Sequence, residues 1–329
     1  MLSLPNVLAG IVLVSLTAYV LFGGADFGGG VWYLLASGPR RAQQREVIAK
    51  AIAPVWEANH VWLILAIVLL FTCFPRAFAV IAIGLHIPLT LMLIGIVLRG
   101  SAFVFQSYGG GGGRVFATAS LVTPVLLGMC VGAVASGTVW WGVRDGSFVT
   151  SFIGSWLTPF AFAVGVFTLA CFAFLAAVYL TLEPKDAQLQ EDFRTRALLA
   201  GLAVVVLAAI GLAVFPEAPS VHAGIIALTA AAALTAFWSL WRRRYRIARA
   251  TAAAEVVFIV WGWAVAQYPY LVPPDLTIVD AASPRVTLEL VLTAVLVGAV
   301  VLFPSLLYLM RVFKGNRALK GRLGDDAHP

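Results

Sequence analysis

The chain has 329 residues, of which 61% are hydrophobic and only 11% are charged, and its mean hydropathy is +0.97. Because a soluble domain carries about 25% charged residues, this composition excludes a water-soluble globular protein and predicts several membrane-spanning helices. The net charge of +7 fits contact with anionic lipid and gives no reason to invoke nucleic acid.

Nine apolar segments are long enough to cross a bilayer, which takes roughly 20 residues of helix. Pro75 separates the second from the third, because proline disfavours helix at the residue before it. No basic residues precede the first segment, so we expect a retained helix and not a cleaved signal peptide. The predicted fold is therefore all-α and polytopic, with two four-helix bundles, one peripheral helix and a short basic tail at 312–329. The predicted helices are 6–36, 56–75, 77–99, 115–139, 154–182, 197–215, 221–241, 251–272 and 287–310.

The basic residues assign a side of the membrane to each loop. With nine spans, 19 of the 22 Lys and Arg fall in one set of alternate loops, and only Arg76, Arg144 and Arg285 fall in the other. Lys and Arg concentrate in cytoplasmic loops. The sequence thus predicts an N-terminus outside the cell and a C-terminus in the cytoplasm.

Asp26 lies in the first predicted helix, within the stretch Gly23-Gly24-Ala25-Asp26-Phe27-Gly28-Gly29-Gly30. A charge within a membrane span is costly and usually functional. Small residues also let another helix approach closely, so a packing surface with an incidental acid is the alternative. Since Asp26 is about 30 Å along a helix that starts outside, we expect it near the cytoplasmic face.

Glu57 and His60 begin the second predicted helix, in the stretch Pro54-Val55-Trp56-Glu57-Ala58-Asn59-His60-Val61-Trp62. Residues three apart share a helix face, so this carboxylate and imidazole are a candidate proton-relay pair. The alternative is an ordinary helix start, with an acid at the positive end of the helix dipole and tryptophans at the lipid interface.

Arg99 ends the third predicted helix, again on the cytoplasmic side. Asp26, Glu57 and Arg99 therefore share one level of the membrane. If their faces point inward, the three charges can pair, which lowers the cost of burying each.

The remaining polar residues of the spans give weaker signals. His60 and His86 could bind one haem iron together, but their predicted depths disagree, because His60 is about one turn from the cytoplasmic side and His86 near the middle of its helix. Glu255 and Glu289 are expected in the first turns of their helices. The three cysteines lack metal-site spacing and are expected to be buried. The glycine run at 109–113 lacks the Lys-Ser/Thr of a phosphate-binding loop, so we interpret it as a linker.

Two of these stretches resemble subunit II of the cytochrome bd family of quinol oxidases. Gly24–Gly28 is similar to a Gly-Phe-Asp-x-Gly stretch in the first helix of that family, and Pro54–Ile64 looks like its Pro-x-Trp-Asp/Glu-x-Asn-x-Val-Trp-Leu-Ile motif. Arg99 matches an arginine at the end of the third helix of the family, and Tyr268–Pro273 and the last helix resemble its C-terminal region. The short form of the chain resembles the cyanide-insensitive branch.

The resemblance implies a subunit of an oxidase that couples quinol oxidation to reduction of O2 to water in a bacterial cytoplasmic membrane. Haem b and haem d would lie in a similar subunit I, and this chain would ligate no metal or cofactor itself. A structural quinone, bound lipid and a small single-helix accessory subunit are further expectations. Asp26, Glu57 and His60 would serve a proton path with Arg99 as charge partner, and Trp62 would line an oxygen route.

Two positions depart from the family pattern. Gly23 replaces a second acid that often precedes the first-helix aspartate, so fewer groups or water would carry protons here. Glu57 replaces the commoner aspartate and reaches one methylene further. The main alternative function is a secondary transporter with Asp26 and Glu57 as coupling-ion sites, although such sites usually lie near the membrane midplane.

Overall fold

The computed structural model describes residues 3–52, 56–107, 111–139, 142–144, 147–149, 153–215 and 223–325. These residues form eleven helices and two short antiparallel hairpins. The elements are α1 Leu4–Leu34, α2 Arg41–Ile52, α3 Trp56–Cys73, α4 Pro75–Gly84, α5 His86–Ser107, α6 Gly113–Ala135, β1 Gly142–Arg144, β2 Ser147–Val149, α7 Pro159–Leu180, α8 Ala187–Val214, α9 Ala223–Trp241, α10 Tyr245–Gln267, β3 Tyr270–Val272, β4 Leu276–Thr277 and α11 Arg285–Asp325.

The predicted all-helical membrane fold is confirmed. Eight described helices are long and apolar enough to cross a membrane, and a ninth span results if the bent pair α3 and α4 counts as one. These two helices meet at an angle of 118°, and α4 starts at Pro75, where the sequence predicted a break.

The third predicted helix, 77–99, was wrong at both ends. The structure divides it at Leu85 into α4 and α5, and α5 continues to Ser107. Pro88 explains the division, because a proline inside one continuous helix would remove a hydrogen bond and clash with the preceding turn. In the first turn of α5 its missing N–H costs nothing.

Two more corrections follow from helix ends. Helix α10 begins at Tyr245 and not at 251, so Glu255 lies ten residues inside it and not in the first turn. Helix α8 begins at Ala187, ten residues before the predicted start, because its polar first turns continue the helix beyond the apolar segment. Helix α11 runs on through most of the basic tail to Asp325.

The helices pack in two groups around α1 and α7. Helices α1, α3, α5 and α6 form the first group and α7 to α10 the second, and α1 and α6 both pack against α7 between them. Helix α11 packs mainly against α1 and α3, and only 6% of its apolar stretch Arg285–Leu302 is buried. This arrangement matches the predicted two bundles with one peripheral helix.

The glycines of α1 bring the two groups together. A Cβ on Gly28 would stand 1.9 Å from the carbonyl oxygen of Phe172 in α7, and a Cβ on Gly30 would stand 2.1 Å from Oγ of Ser120 in α6. Any side chain at these positions would push the helices apart. The glycine stretch is therefore a close packing surface.

The loops rich in basic residues meet at one face of the molecule, which we call the basic face. Arg40, just before α2, bonds Asp192 in the first turns of α8 at 2.6 Å, and this hydrogen bond raises the pKa of Arg40. Arg194 in α8 donates to the carbonyl oxygen of Leu240 at 2.8 Å. The loops α1–α2, α7–α8 and α9–α10 thus share one side, as the distribution of Lys and Arg predicted.

The alternate loops meet at the opposite face. Ser283, just before α11, donates its backbone N–H to the carbonyl of Cys73 at the end of α3. Arg76 in α4 donates to the carbonyl oxygen of Asp280 at 3.2 Å. The connections α3–α4 and α10–α11 therefore share this face, as the nine-span topology predicts.

Candidate functional site

A buried ion pair links α1 to α5 near the basic face. Arg99 of α5 donates to the carboxylate of Asp26 in α1, and both side chains are almost fully buried, at 2% and 1% exposure. Asp26 lies eight residues before the end of α1 and Arg99 eight residues before the end of α5. At 1.5 Å per residue, both lie about 12 Å from those ends, which places them inside the apolar layer.

Polar side chains from two more helices complete this cluster. Asn59 of α3 donates its side-chain amide to the second carboxylate oxygen of Asp26 at 3.4 Å. The hydroxyl of Ser120 in α6 accepts a hydrogen bond from Nε of Arg99 at 2.9 Å and donates one to the carbonyl oxygen of Phe116. Four helices therefore contribute to one hydrogen-bonded charge cluster, which we call the Asp26 cluster.

Two aromatic rings enclose the guanidinium group. The Cζ atom of Arg99 lies 4.7 Å from the ring centre of Phe27 and 5.0 Å from that of Phe116. Ring faces carry partial negative charge and attract a cation, more so where water is excluded. The rings thus lower the cost of burying Arg99 at this depth.

Tyr19 and His60 lie beside the cluster. Their ring centres are 6.3 Å apart, and Tyr19 is within electrostatic range of both Arg99 and Asp26. The buried hydroxyl of Tyr19 has no hydrogen-bond partner among the described residues. A tyrosine hydroxyl, which can both donate and accept, is therefore a neighbour of the imidazole and of the ion pair.

The predicted site residues fall into three groups. Asp26 and Arg99 pair as expected, although Arg99 lies inside α5 and not at a helix end, because no proline or cap stops the helix there. His60 lies next to them, but the side chain of Glu57 lies outside the described part of the chain. Trp62 is partly buried against Tyr19, Phe27 and Phe172, so it lines the same cluster from the side of the bilayer.

Sequence reasoning did not select Asn59, Ser120 or Tyr19. Asn59 had a usable signal, because it lies in the same stretch as Glu57 and His60. Ser120 and Tyr19 had none, because serines and tyrosines occur throughout these helices and only the packing brings these two to Arg99 and Asp26.

The two histidines cannot share one iron. His60 is in the first turns of α3 near the basic face, whereas His86 opens α5 at the opposite face, where it is exposed and bonds the carbonyl oxygen of Ile83 at 2.8 Å. The expectation that His86 lies in mid-helix was wrong. Within the described residues, no group of three His, Cys, Asp or Glu is arranged to hold a metal ion, so this part of the chain does not fit haem ligation by paired histidines.

The fold and the Asp26 cluster define a polytopic helical membrane protein with ionisable groups buried at one level of the bilayer. Residues 4–313 match the family model described as cytochrome bd terminal oxidase subunit II. The chain belongs to this family. It is a subunit of a haem-containing quinol:O2 oxidoreductase complex, in which subunit I is its partner, and the comparisons give no support to the transporter interpretation.

Known proteins resemble the chain over most of its length. It is 20% identical to the putative cytochrome bd menaquinol oxidase subunit II of Bacillus subtilis (strain 168) over 322 residues, which cover 91% of this chain and 92% of the relative. It is 26% identical to the cytochrome bd-I ubiquinol oxidase subunit 2 of Escherichia coli (strain K12) over 217 residues, covering 62% of this chain and 54% of that one. A chain in the structure of bd oxidase from Geobacillus thermodenitrificans shares the fold, with a TM-score of 0.75, 20% identity and coverage of 95% of this chain and 99% of that chain.

Proposed function

We propose that this chain is the subunit of the oxidase that ligates no haem, and that haem b and haem d are held by subunit I. The separation of His60 from His86 supports this assignment, because it leaves no facing pair of histidines in the described residues. We further propose a bacterial cytoplasmic membrane with the basic face towards the cytoplasm, since Lys and Arg concentrate on that side.

The Asp26 cluster, in our proposal, belongs to a path that supplies protons from the cytoplasm for oxygen reduction. The observation that carries it is the buried ion pair about 12 Å below the basic face. Charges buried at this depth are costly, and charged residues inside membrane spans are usually functional. The position is also where protons entering from the cytoplasm would pass.

The contacts suggest a division of labour within the cluster. The carboxylate of Asp26 is held by Arg99 and Asn59, and the facing guanidinium balances its charge. The negative charge of Asp26 then attracts protons, while neighbouring titratable groups carry them. His60, with the hydroxyl of Tyr19 as its neighbour, and Glu57 three residues before it are the proposed carriers.

We also propose that Trp62 lines a route by which oxygen enters from the lipid. Its neighbours Val61 and Ile64 are exposed on α3, at 48% and 58%, while Trp62 itself is partly buried against the aromatic cluster of Tyr19, Phe27 and Phe172. An apolar gas that dissolves in lipid would reach Trp62 from the exposed side of α3. Bound lipid, a structural quinone and an accessory helix are proposed from the family resemblance alone.

The test compares variants of the proposed carriers with matched controls in the purified complex. Glu57→Gln and His60→Gln should lower oxygen consumption per haem while haem content stays near that of the unmodified complex. Glu46→Gln removes an exposed carboxylate of α2 that pairs with Lys50, and His86→Gln removes the exposed imidazole at the other face. Both controls should leave the rate unchanged. Equal loss of haem and rate in the carrier variants would show a role in assembly and refute the proton path.

A further inference from the structure

A second carboxylate is buried in the other helix group, away from the Asp26 cluster. Glu255 lies ten residues into α10, which is about 15 Å from the end of that helix on the basic face. The residue is 4% exposed. About 15 Å is half of the hydrocarbon thickness, so this side chain is near the middle of the membrane.

The surroundings of Glu255 offer no charge to balance it. Its Oε2 atom has no hydrogen-bond partner among the described residues, and no described charged group is close enough to act on it. Helix α9, which packs along α10, contains no Asp, Glu, Lys, Arg or His between Ala223 and Trp241. Helix α7 brings the Cys171 thiol, with Tyr179 nearer the face beneath Arg249, and α1 contacts α10 where Trp261 donates to Thr17 at 3.2 Å.

Glu255 therefore differs from Asp26 in kind. Asp26 is compensated by a guanidinium and an amide, whereas an ionised Glu255 would be a bare charge in an apolar layer. Transfer of an unpaired carboxylate into such a medium costs so much that the group binds a proton instead. A carboxyl group in this state can accept and release a proton without breaking an ion pair.

Thr251 of α10 places a hydroxyl group between the level of Glu255 and the basic face. Thr251 precedes Glu255 by one turn on the same face of α10. Its hydroxyl donates to the carbonyl oxygen of Ile247 at 2.9 Å, and its oxygen can still accept a hydrogen bond. Around this step the helix carries small residues, with Ala248 and Ala252 fully buried. We propose that Glu255 is a proton-exchanging site of the second helix group, reached from the basic face through Thr251 and independent of the Asp26 cluster.

A hydrophobic carbodiimide tests the protonated state in the unmodified complex. A neutral carboxylic acid adds across one C=N bond of the reagent, giving its proton to nitrogen and its oxygen to the central carbon. The adduct rearranges to a stable N-acylurea, so the peptide gains the mass of one reagent molecule and nothing leaves. At neutral pH we expect this mass gain on the α10 peptide and none on the α1 peptide with Asp26. No label on Glu255 would overturn the proposal.

Infrared spectra then test exchange with water. The complex should show a carboxylic acid carbonyl band that shifts in D2O and is missing in Glu255→Gln, a variant that keeps the shape of the side chain. Thr251→Val should slow this shift at least severalfold. Thr235→Val, which removes a similarly bonded hydroxyl from α9, should leave its rate unchanged.

Three results would contradict the proposal: a band that does not move in D2O, a band that persists in Glu255→Gln, or equal slowing by both threonine variants. None of them bears on the proton path through Glu57 and His60, which is tested by oxygen consumption. The two proposals can therefore fail separately.

Discussion

The Asp26–Arg99 ion pair makes a quantitative prediction about stability. Asp26→Asn leaves the guanidinium of Arg99 buried at 2% exposure with only Ser120, a backbone carbonyl and two rings as partners. Breaking a buried ion pair from one side costs about 3–5 kcal/mol. Since about 1.4 kcal/mol is a factor of ten, the population of the unfolded or unassembled chain should rise by about two to four orders of magnitude.

The double variant Asp26→Asn/Arg99→Met separates the interaction from the side chains. It removes both charges, so no unpaired charge stays buried, and replacement of a buried pair by neutral groups is often close to neutral. The double variant should therefore be more stable than Asp26→Asn alone. Glu289→Gln is the control, because its pair with Arg285 is exposed to solvent and such pairs contribute little to stability.

The assay is the fraction of purified complex that keeps its haem after heating, measured for each variant over a range of temperatures. The expected order of stability is the unmodified complex and Glu289→Gln first, the double variant next and Asp26→Asn last. The reasoning would be refuted if Asp26→Asn were as stable as Glu289→Gln. It would also be refuted if the double variant were no more stable than Asp26→Asn.

Three further predictions concern packing, the basic face and topology. Gly28→Ala should lower thermal stability by at least about 1–3 kcal/mol, because the new methyl group overpacks α1 against α7. Gly10→Ala in the same helix has no atom within 4 Å of the new methyl group and should be neutral or stabilising. Equal effects of the two variants would contradict the packing argument. Asp192→Asn should release α2 from α8 and speed its cleavage by protease in inside-out vesicles, and an unchanged cleavage rate would count against this anchor. The three native cysteines are buried, so a membrane-impermeant thiol reagent should report only on introduced cysteines. Ser37→Cys should be labelled only from the cytoplasmic side and Asp275→Cys only from outside. The reverse pattern would show that the topology is the opposite of the one predicted.

Much of the fold could be predicted because the bilayer imposes it. Apolar segments of helix length and the side of each basic loop follow from transfer energies that act residue by residue. The break at Pro75 was equally local. The break at Leu85 was also readable, since Pro88 could not lie inside a straight helix, and it was missed because the apolar run continues through it.

Helix ends outside the apolar layer were harder to predict. Helix α2 lies in what was taken as a loop, yet its residues are good helix formers, and Ile48 and Ile52 are one turn apart and both buried. The early starts of α8 and α10 likewise depend on polar residues that hydropathy ignores. The error for α10 mattered most, because it placed Glu255 at a helix end and hid its depth.

The candidate site was predicted in part. Asp26 and Arg99 stood out as charges within apolar helices, and their predicted depths alone placed them at the same level of the membrane. The glycines around Asp26 left two interpretations open, and the structure shows that they were not exclusive: Gly28 and Gly30 allow close packing, while Asp26 is paired. Ser120 and Tyr19 could not be found, because their role depends on how four helices are rotated relative to one another.

The central claim is that this chain supports the redox chemistry of the oxidase without holding the haems itself. The most direct measurement is the visible absorption spectrum of the chain purified alone, compared with that of the chain purified together with subunit I. We expect no haem bands for the chain alone and the bands of haem b and haem d for the complex. Stoichiometric haem in the isolated, folded chain would contradict the claim.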